Sequence, residues 1–211
     1  MADTSDWAQE NFVSEKDSAW YARLFEEKGL KNGHVILLNS KNSPFYEQTK
    51  EQAVRALRAF PGGLQVGGSI TAENAEEYLD AGASHVIVTS YVFRDGTISY
   101  EHLNNLLEAV GKKKLVLDLS CRKKDGAYYI VTDRWQKYTR VSLIEKELVA
   151  LLGRWNRIPI TYAGGIRSLE DIRSIKELSR NKIHITVGSA LDLYGGSLEF
   201  EKVMAYANEE L

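Results

Sequence analysis

Residues 64–90 read LQVGGSITAENAEEYLDAGASHVIVTS, and residues 160–189 read ITYAGGIRSLEDIRSIKELSRNKIHITVGS. The two stretches follow one plan. Each opens on a short apolar strand that ends in small residues and an isoleucine, Gly67-Gly68-Ser69-Ile70 in the first and Ala163-Gly164-Gly165-Ile166 in the second. A capped, acidic helix follows. Each closes on a second strand that ends in small or hydroxyl residues, Val88-Thr89-Ser90 and Val187-Gly188-Ser189. The offset from Ile70 to Ile166 is 96 residues. That is far longer than the roughly 20–50 residues of a solenoid repeat and close to half of a (β/α)8 barrel of about 250 residues.

The residue types suggest a chemistry. At the C-terminal end of a parallel strand, consecutive small residues expose backbone N–H groups with no side chain in the way, and a following helix adds a partial positive charge. Such a cradle takes phosphate without Lys or Arg. Gly67, Gly68 and Ser69 would form one half of the first cradle, with Thr89 and Ser90 beside them. Gly164 and Gly165, with Gly188 and Ser189, would form the second. A Gly-Gly pair after a strand is by itself no more than a tight turn. The recurrence of the whole strand–helix–strand plan is what turns conformation into an expectation of two phosphate sites, and so of a small ligand phosphorylated at both ends.

Working outward, strand and helix keep alternating. Residues 16–28 place Trp20, Leu24 and Phe25 at helical spacing. His34–Leu38 is a short apolar run, residues 47–59 read as a helix, and Leu64–Val66 is the next strand. Thr71 heads a helix that runs to Asp80, with Asn74 placed to reach back as in a capping box. Strands follow at His85–Ser90 and Leu115–Ser120, separated by a helix over Leu103–Val110. Asp125-Gly126 marks the turn of a hairpin arm leading into Tyr128–Thr132. A helix over 142–153, a strand at Ile158–Tyr162, a helix at Ser168–Leu178, a strand at Ile183–Val187 and a last helix over 198–210 complete the chain. Six strands alternating with helices predict a parallel α/β sheet in a single domain spanning 1–211, with the repeats at about 62–93 and 158–192.

Composition narrows the function. Lys plus Arg number 27 against 29 Asp plus Glu, a net charge of −2. A nucleic-acid or membrane-surface protein needs a basic excess, so neither partner is expected. The single Cys121 rules out an internal disulfide framework and reads as a small hydrophobe. The N-terminal residues are acidic, with no apolar run. They do not read as a signal or transit peptide, and the expected location is the cytoplasm.

Several blocks together carry a family. GGLQVGG (62–68), HVIVTSYVF (85–93), DLSCRKKDG (118–126), TDRWQK (132–137), YAGG (162–165) and VGSALD (187–192) resemble the eukaryotic phosphoribosylformimino-5-aminoimidazole carboxamide ribotide isomerases of histidine biosynthesis, over nearly the whole chain from about Asn11. The resemblance implies a TIM (β/α)8 barrel with two phosphate sites and no metal or organic cofactor. It also implies an Amadori rearrangement of an aminoaldose to an aminoketose by acid–base residues at strand ends. On that basis Asp118 is the acid/base residue, with Ser120 on the same face. Trp135 stacks on the imidazole ring, and Arg122 meets the carboxamide or a phosphate. Packing or surface roles are the alternatives for Trp135 and Arg122. His34 and His85, at the other end of their strands, read as structural.

The chain departs from the family in three places. It has no Cys-Ile-Asp-(Ile/Leu)-His-type first strand, whose Asp is an acid/base residue of the family. Strand starts at 34, 63, 85 and 115 are 29, 22 and 30 residues apart, but the next, at Ile158, comes after 43, with no apolar strand in the place of the family's sixth. Ser69 stands where the family usually has glycine, which a left-handed backbone would favour. A barrel without strands 1 and 6 leaves open parallel edges, through which the chain could associate; a complete one would be a monomer. Three readings stay open: the isomerase, in a truncated form; a phospho-ligand-binding protein without turnover; and the related cyclase barrel of imidazole glycerol phosphate synthase.

Overall fold

The computed structural model describes residues 12–94, 97–124, 127–131, 144–155 and 157–209. The chain divides into two compact units, one built on residues 15–131 and the other on residues 144–209 together with 12–14.

The first unit is a parallel sheet backed by helices. Its elements are α1 (Ser18–Glu27), β1 (Gly33–Ile36), α2 (Tyr46–Ala59), β2 (Leu64–Gly67), α3 (Ala75–Asp80), β3 (His85–Val88), β4 (Phe93–Arg94), β5 (Thr97–Ile98), α4 (Tyr100–Val110), β6 (Leu115–Leu117), β7 (Ser120–Lys124) and β8 (Ala127–Val131). The sheet order is β1-β2-β3-β6, and every pair is parallel. Chain order and sheet order agree because each crossover helix returns the chain to the adjacent strand. Helix ends are set locally: Asp17 caps α1 by accepting from the Trp20 N–H at 2.9 Å, and Ser99 caps α4 by accepting from the His102 N–H.

Alternation along the strands decides what is buried. Leu37, Leu64, Val66, Val86 and Val88 point to the helices and pack with Leu57, Tyr78 and Leu106 in one apolar core. The Tyr46 and Tyr78 hydroxyls meet in this core at 3.3 Å, and burial drives the Tyr78 phenol far above its ordinary value. The opposite sheet face carries His34, Gln65 and His85 in one paired row, and Ile36, Gly67, Ile87 and Val116 in the next. On this face Ile36 is 47 % exposed and Leu38, just past the end of β1, is 76 % exposed.

Two antiparallel ribbons leave the sheet. The β7–β8 hairpin pairs Ser120 with Val131 and Lys124 with Ala127, as the Asp125-Gly126 signal predicts. The β4–β5 ribbon, pairing Phe93 with Ile98, is an addition to the sequence reading.

The second unit contains α5 (Lys146–Trp155), β9 (Thr161–Ala163), α6 (Leu169–Ser179), β10 (His184–Thr186) and α7 (Phe200–Glu209). β9 and β10 are parallel, with Tyr162 opposite Ile185. Its core is Val149, Tyr162, Ile166, Ile172, Ile175 and Ile183. α5 and α6 pack closely at Gly153, where a Cβ would come within 2.5 Å of the Ser179 backbone. Ser168 and Asp171 close α6 with a reciprocal capping box. The helix expected over 142–153 starts at Lys146 and runs to Trp155; residues 140–143 lie outside the described residues.

Fold class is therefore α/β with parallel sheets, as the alternating pattern predicts. Six parallel strands are present among the described residues. The helix expected to begin at Thr71 begins at Ala75, because residues 71–74 form a turn in which the Asn74 and Ala75 N–H groups both donate to the Thr71 carbonyl. The reach-back from Asn74 is present: its Oδ1 accepts from the Thr71 N–H at 2.8 Å.

Candidate functional site

The chain after β2 turns through two consecutive left-handed residues, Gly68 (φ 91°) and Ser69 (φ 55°). The chain after β9 does the same at Gly164 (φ 96°) and Gly165 (φ 74°). Both turns then bury an isoleucine, Ile70 and Ile166. The repeat read in the sequence is thus a repeat of backbone conformation, residue for residue. A tight turn of this kind at a strand end is the sort of backbone from which successive main-chain N–H groups can be presented to an anion.

Each turn has a neighbouring strand end. Gly67 lies opposite Ile87, so the turn after β2 sits beside Thr89 and Ser90, which follow β3. The Val92 and Phe93 N–H groups both donate to the Thr89 carbonyl, curling the chain away and leaving Ser90 exposed. In the second unit Ala163 lies opposite Thr186, which brings Gly164 and Gly165 beside Gly188 and Ser189. The Leu191 N–H closes a turn onto the Gly188 carbonyl at 2.9 Å, and both Gly188 and Ser189 are exposed.

Asp118 follows β6, and its N–H extends the ladder to the Val88 carbonyl at 3.0 Å. Register puts its side chain on the open face of the sheet, in line with Val116 and next to Thr89. The Thr89 Oγ1 donates to Asp118 Oδ2 at 3.2 Å. The charge of Asp118 reaches His34 on the same face. Burial lowers the His34 pKa below its ordinary value, and Asp118 partly opposes that shift. Burial also lowers His85, with Lys114 adding to the effect.

The remaining candidates divide. Ser120 is exposed and opens the β7–β8 hairpin. Arg122 pairs with Tyr129 in the same hairpin; its side chain, like that of Cys121, lies outside what the structure describes. Trp135 lies outside the described residues altogether. Among the described residues, no group of three or more His, Cys, Asp or Glu side chains is placed to hold a metal, and no helix is long and apolar enough to cross a membrane.

The structure adds Asn74 to the first cradle. Besides accepting from Thr71, its Nδ2 donates to the Ser69 carbonyl at 3.1 Å. The acceptor half was legible from the spacing of Thr71 and Asn74. The donor half was not, because it depends on the left-handed turn bringing the Ser69 carbonyl back over the next turn.

With this geometry in place, similarity to known proteins is decisive. The chain matches the family model described as histidine biosynthesis protein over residues 6–148. It belongs to that family. Among curated relatives, it is 46 % identical over 228 residues to a protein of Medicago truncatula named 1-(5-phosphoribosyl)-5-((5-phosphoribosylamino)methylideneamino)imidazole-4-carboxamide isomerase, chloroplastic, covering 95 % of this chain and 72 % of that one. It is 40 % identical over 217 residues to the isomerase of the same name from Neurospora crassa, covering 88 % and 82 %. To that of Kluyveromyces lactis it is 34 % identical over 251 residues, covering all of this chain and 91 % of the relative. Since this chain has 211 residues, an alignment of 251 positions means that the Kluyveromyces relative carries internal segments with no counterpart here.

Proposed function

We propose that this chain is an aldose–ketose isomerase of histidine biosynthesis, acting on the phosphoribosylformimino aminoimidazole carboxamide ribonucleotide by an Amadori rearrangement. The observation that carries the reading is the doubled left-handed turn at parallel strand ends, in a chain that aligns along almost its whole length with proteins named as that isomerase. Each cradle takes one phosphate of the bisphosphorylated substrate: Gly67, Gly68, Ser69, Thr89 and Ser90 one, Gly164, Gly165, Gly188 and Ser189 the other. Backbone N–H groups do this without a basic cluster, in keeping with the near-balanced charge. Nucleic acid and membrane are not partners.

Asp118 is the acid/base residue. A proton given to the ring oxygen opens the ribose to an iminium ion. Loss of the C2 proton gives the enolamine, and protonation at C1 with release of the C2 hydroxyl proton gives the aminoketose, so atoms and electrons balance with no redox partner. Thr89 holds the Asp118 carboxylate toward the open face. Ser120 assists on that side, Trp135 stacks on the imidazole, and Arg122 meets the carboxamide or a phosphate.

The fold behind this reading is a TIM (β/α)8-type barrel forming one domain over 1–211, without counterparts of strands 1 and 6. Support for a missing internal segment comes from the alignment with the Kluyveromyces relative, which is longer than this chain. A chain lacking the family's first-strand Asp would have one acid/base partner fewer, and the second reading is therefore a phospho-ligand-binding protein without turnover. A complete barrel is a monomer; this one associates through its open strand edges. The cyclase barrel remains third. The cytoplasmic location is likewise part of the proposal; the Medicago relative is named chloroplastic.

The test is a turnover assay on the purified chain with the aminoaldose substrate, alongside calorimetry with the same compound. Turnover that Asp118→Asn abolishes establishes the isomerase. Binding without turnover establishes the second reading. Neither heat nor turnover rejects both.

A further inference from the structure

The two cradles share a backbone but not a residue at the second left-handed position: Ser69 in one, Gly165 in the other. An L-residue there costs roughly 1–2 kcal/mol relative to a right-handed backbone, so something must hold Ser69. The candidate is the Asn74 side chain. Its Oδ1 accepts from the Thr71 N–H at 2.8 Å and its Nδ2 donates to the Ser69 carbonyl at 3.1 Å. The amide therefore spans the turn, with Ser69 fastened on one side and Thr71 on the other. Among the described residues the second cradle shows no equivalent donor. There Asp171, a carboxylate, accepts from the Arg167 N–H at 2.9 Å and the Ser168 N–H at 3.0 Å, and as an ionised side chain it has no proton to give to a carbonyl. The second left-handed residue of that turn is Gly165, which occupies the left-handed region at little cost.

We infer that Asn74 is a positioning residue of the first cradle: its amide clamps Ser69 in the left-handed conformation that aims the Gly68 and Ser69 N–H groups at a phosphate group. The inference rests on the phosphate reading of the cradle and specifies what keeps that cradle in shape. The clamp matters only while residue 69 carries a Cβ. Removing Asn74 should therefore be harmful in the natural background and nearly harmless once residue 69 is glycine.

The experiment is a double-mutant cycle on the full chain with Asn74→Ala and Ser69→Gly, read two ways. Titration with inorganic phosphate is followed at the backbone amides by nitrogen–proton NMR, which separates the Gly68–Ser69 site from the Gly164–Gly165 site. Thermal melts give the coupling between the two positions independently of ligand. A hydrogen bond of ordinary strength corresponds to roughly a 2- to 12-fold change. The expected result is thus phosphate binding at the first site weakened by about 5-fold in Asn74→Ala, restored in the double variant, with the second site unmoved throughout. A purely structural role for Asn74 would lower the melting temperature equally in both backgrounds and leave no coupling, and that outcome overturns the inference. Asn74→Asp keeps the Thr71 acceptor and loses the donor but adds a charge beside the anion site, so if the alanine variant fails to fold it replaces it in the melting cycle, where the same coupling to Ser69→Gly is expected, and not in the phosphate titration. If phosphate moves neither pair of amides in the natural chain, the phosphate reading falls and takes the ligand half of the inference with it. The melting cycle then decides whether the clamp on Ser69 exists.

Discussion

The two cradles have one backbone and two surroundings. In the first, a Cβ on Gly68 would run into the Leu37 carbonyl, because β1 lies alongside β2 and the turn is wedged against its end. In the second, a Cβ on Gly164 would meet nothing within 4 Å. There β9 pairs with β10 alone among the described strands. So the same glycine is demanded by two constraints in one copy and by one in the other. A repeated motif can keep its conformation while the packing that enforced it has changed. The first cradle compensates for a residue of the wrong type with a side-chain clamp, and the second keeps the glycine.

The same side chain placed in both cradles should be tolerated very differently. Gly68→Val meets backbone as well as an unfavourable φ and should cost about 3 kcal/mol or more. Gly164→Val meets only the φ penalty and should cost about 1–2 kcal/mol. Chemical denaturation of both variants checks the ranking, and equal losses would mean that the open flank of β9 is filled. Next, Gly153→Val drives a side chain into the Ser179 backbone across α5 and α6. It should destabilise the second unit by about 1–3 kcal/mol while leaving the Gly68 and Ser69 amide resonances in place.

A third variant separates binding from chemistry. Thr89→Val removes the hydroxyl that donates to Asp118 with little change in shape. If that bond positions the acid/base residue, kcat falls about tenfold with KM nearly constant, and Thr89→Ser restores it. A raised KM with kcat intact would return Thr89 to the phosphate alone. The smallest effect is pH dependence from His34. Burial holds its folded pKa below the unfolded value of 6.5, so the unfolded chain binds the proton more readily. Stability contributed by neutral His34 is complete above 6.5 and declines as pH falls from there through the folded pKa. Melts of His34→Gln should lose that slope.

Much of this was legible in the residues. Short apolar runs placed the six parallel strands to within a few residues, the fifth beginning at Thr161 rather than Ile158, and Asp125-Gly126 marked the connection between β7 and β8. The same dipeptide stands at Asp95-Gly96, between β4 and β5, but the sequence reading placed no ribbon there. Alternation from Leu115 put Asp118 on the open face. What was not legible depends on distance in sequence or on a turned backbone. The meeting of the Tyr46 and Tyr78 hydroxyls joins α2 to α3 across a whole strand, a contact that spacing along the chain does not reveal. The clamp on Ser69 needs φ at two successive residues before Asn74 can be seen to reach its carbonyl. Trp135, the strongest aromatic candidate, lies outside the described residues.

The open face of the first sheet has a cellular consequence. Ile36 and Leu38 stand side by side with water above them, and apolar strand surface of this kind is what holding chaperones capture and proteases sample. The amount of this protein in a cell would then be set as much by how quickly that surface finds cover after synthesis as by the strength of the core behind it. Polar replacements at these two positions should raise its steady-state level without touching either turn.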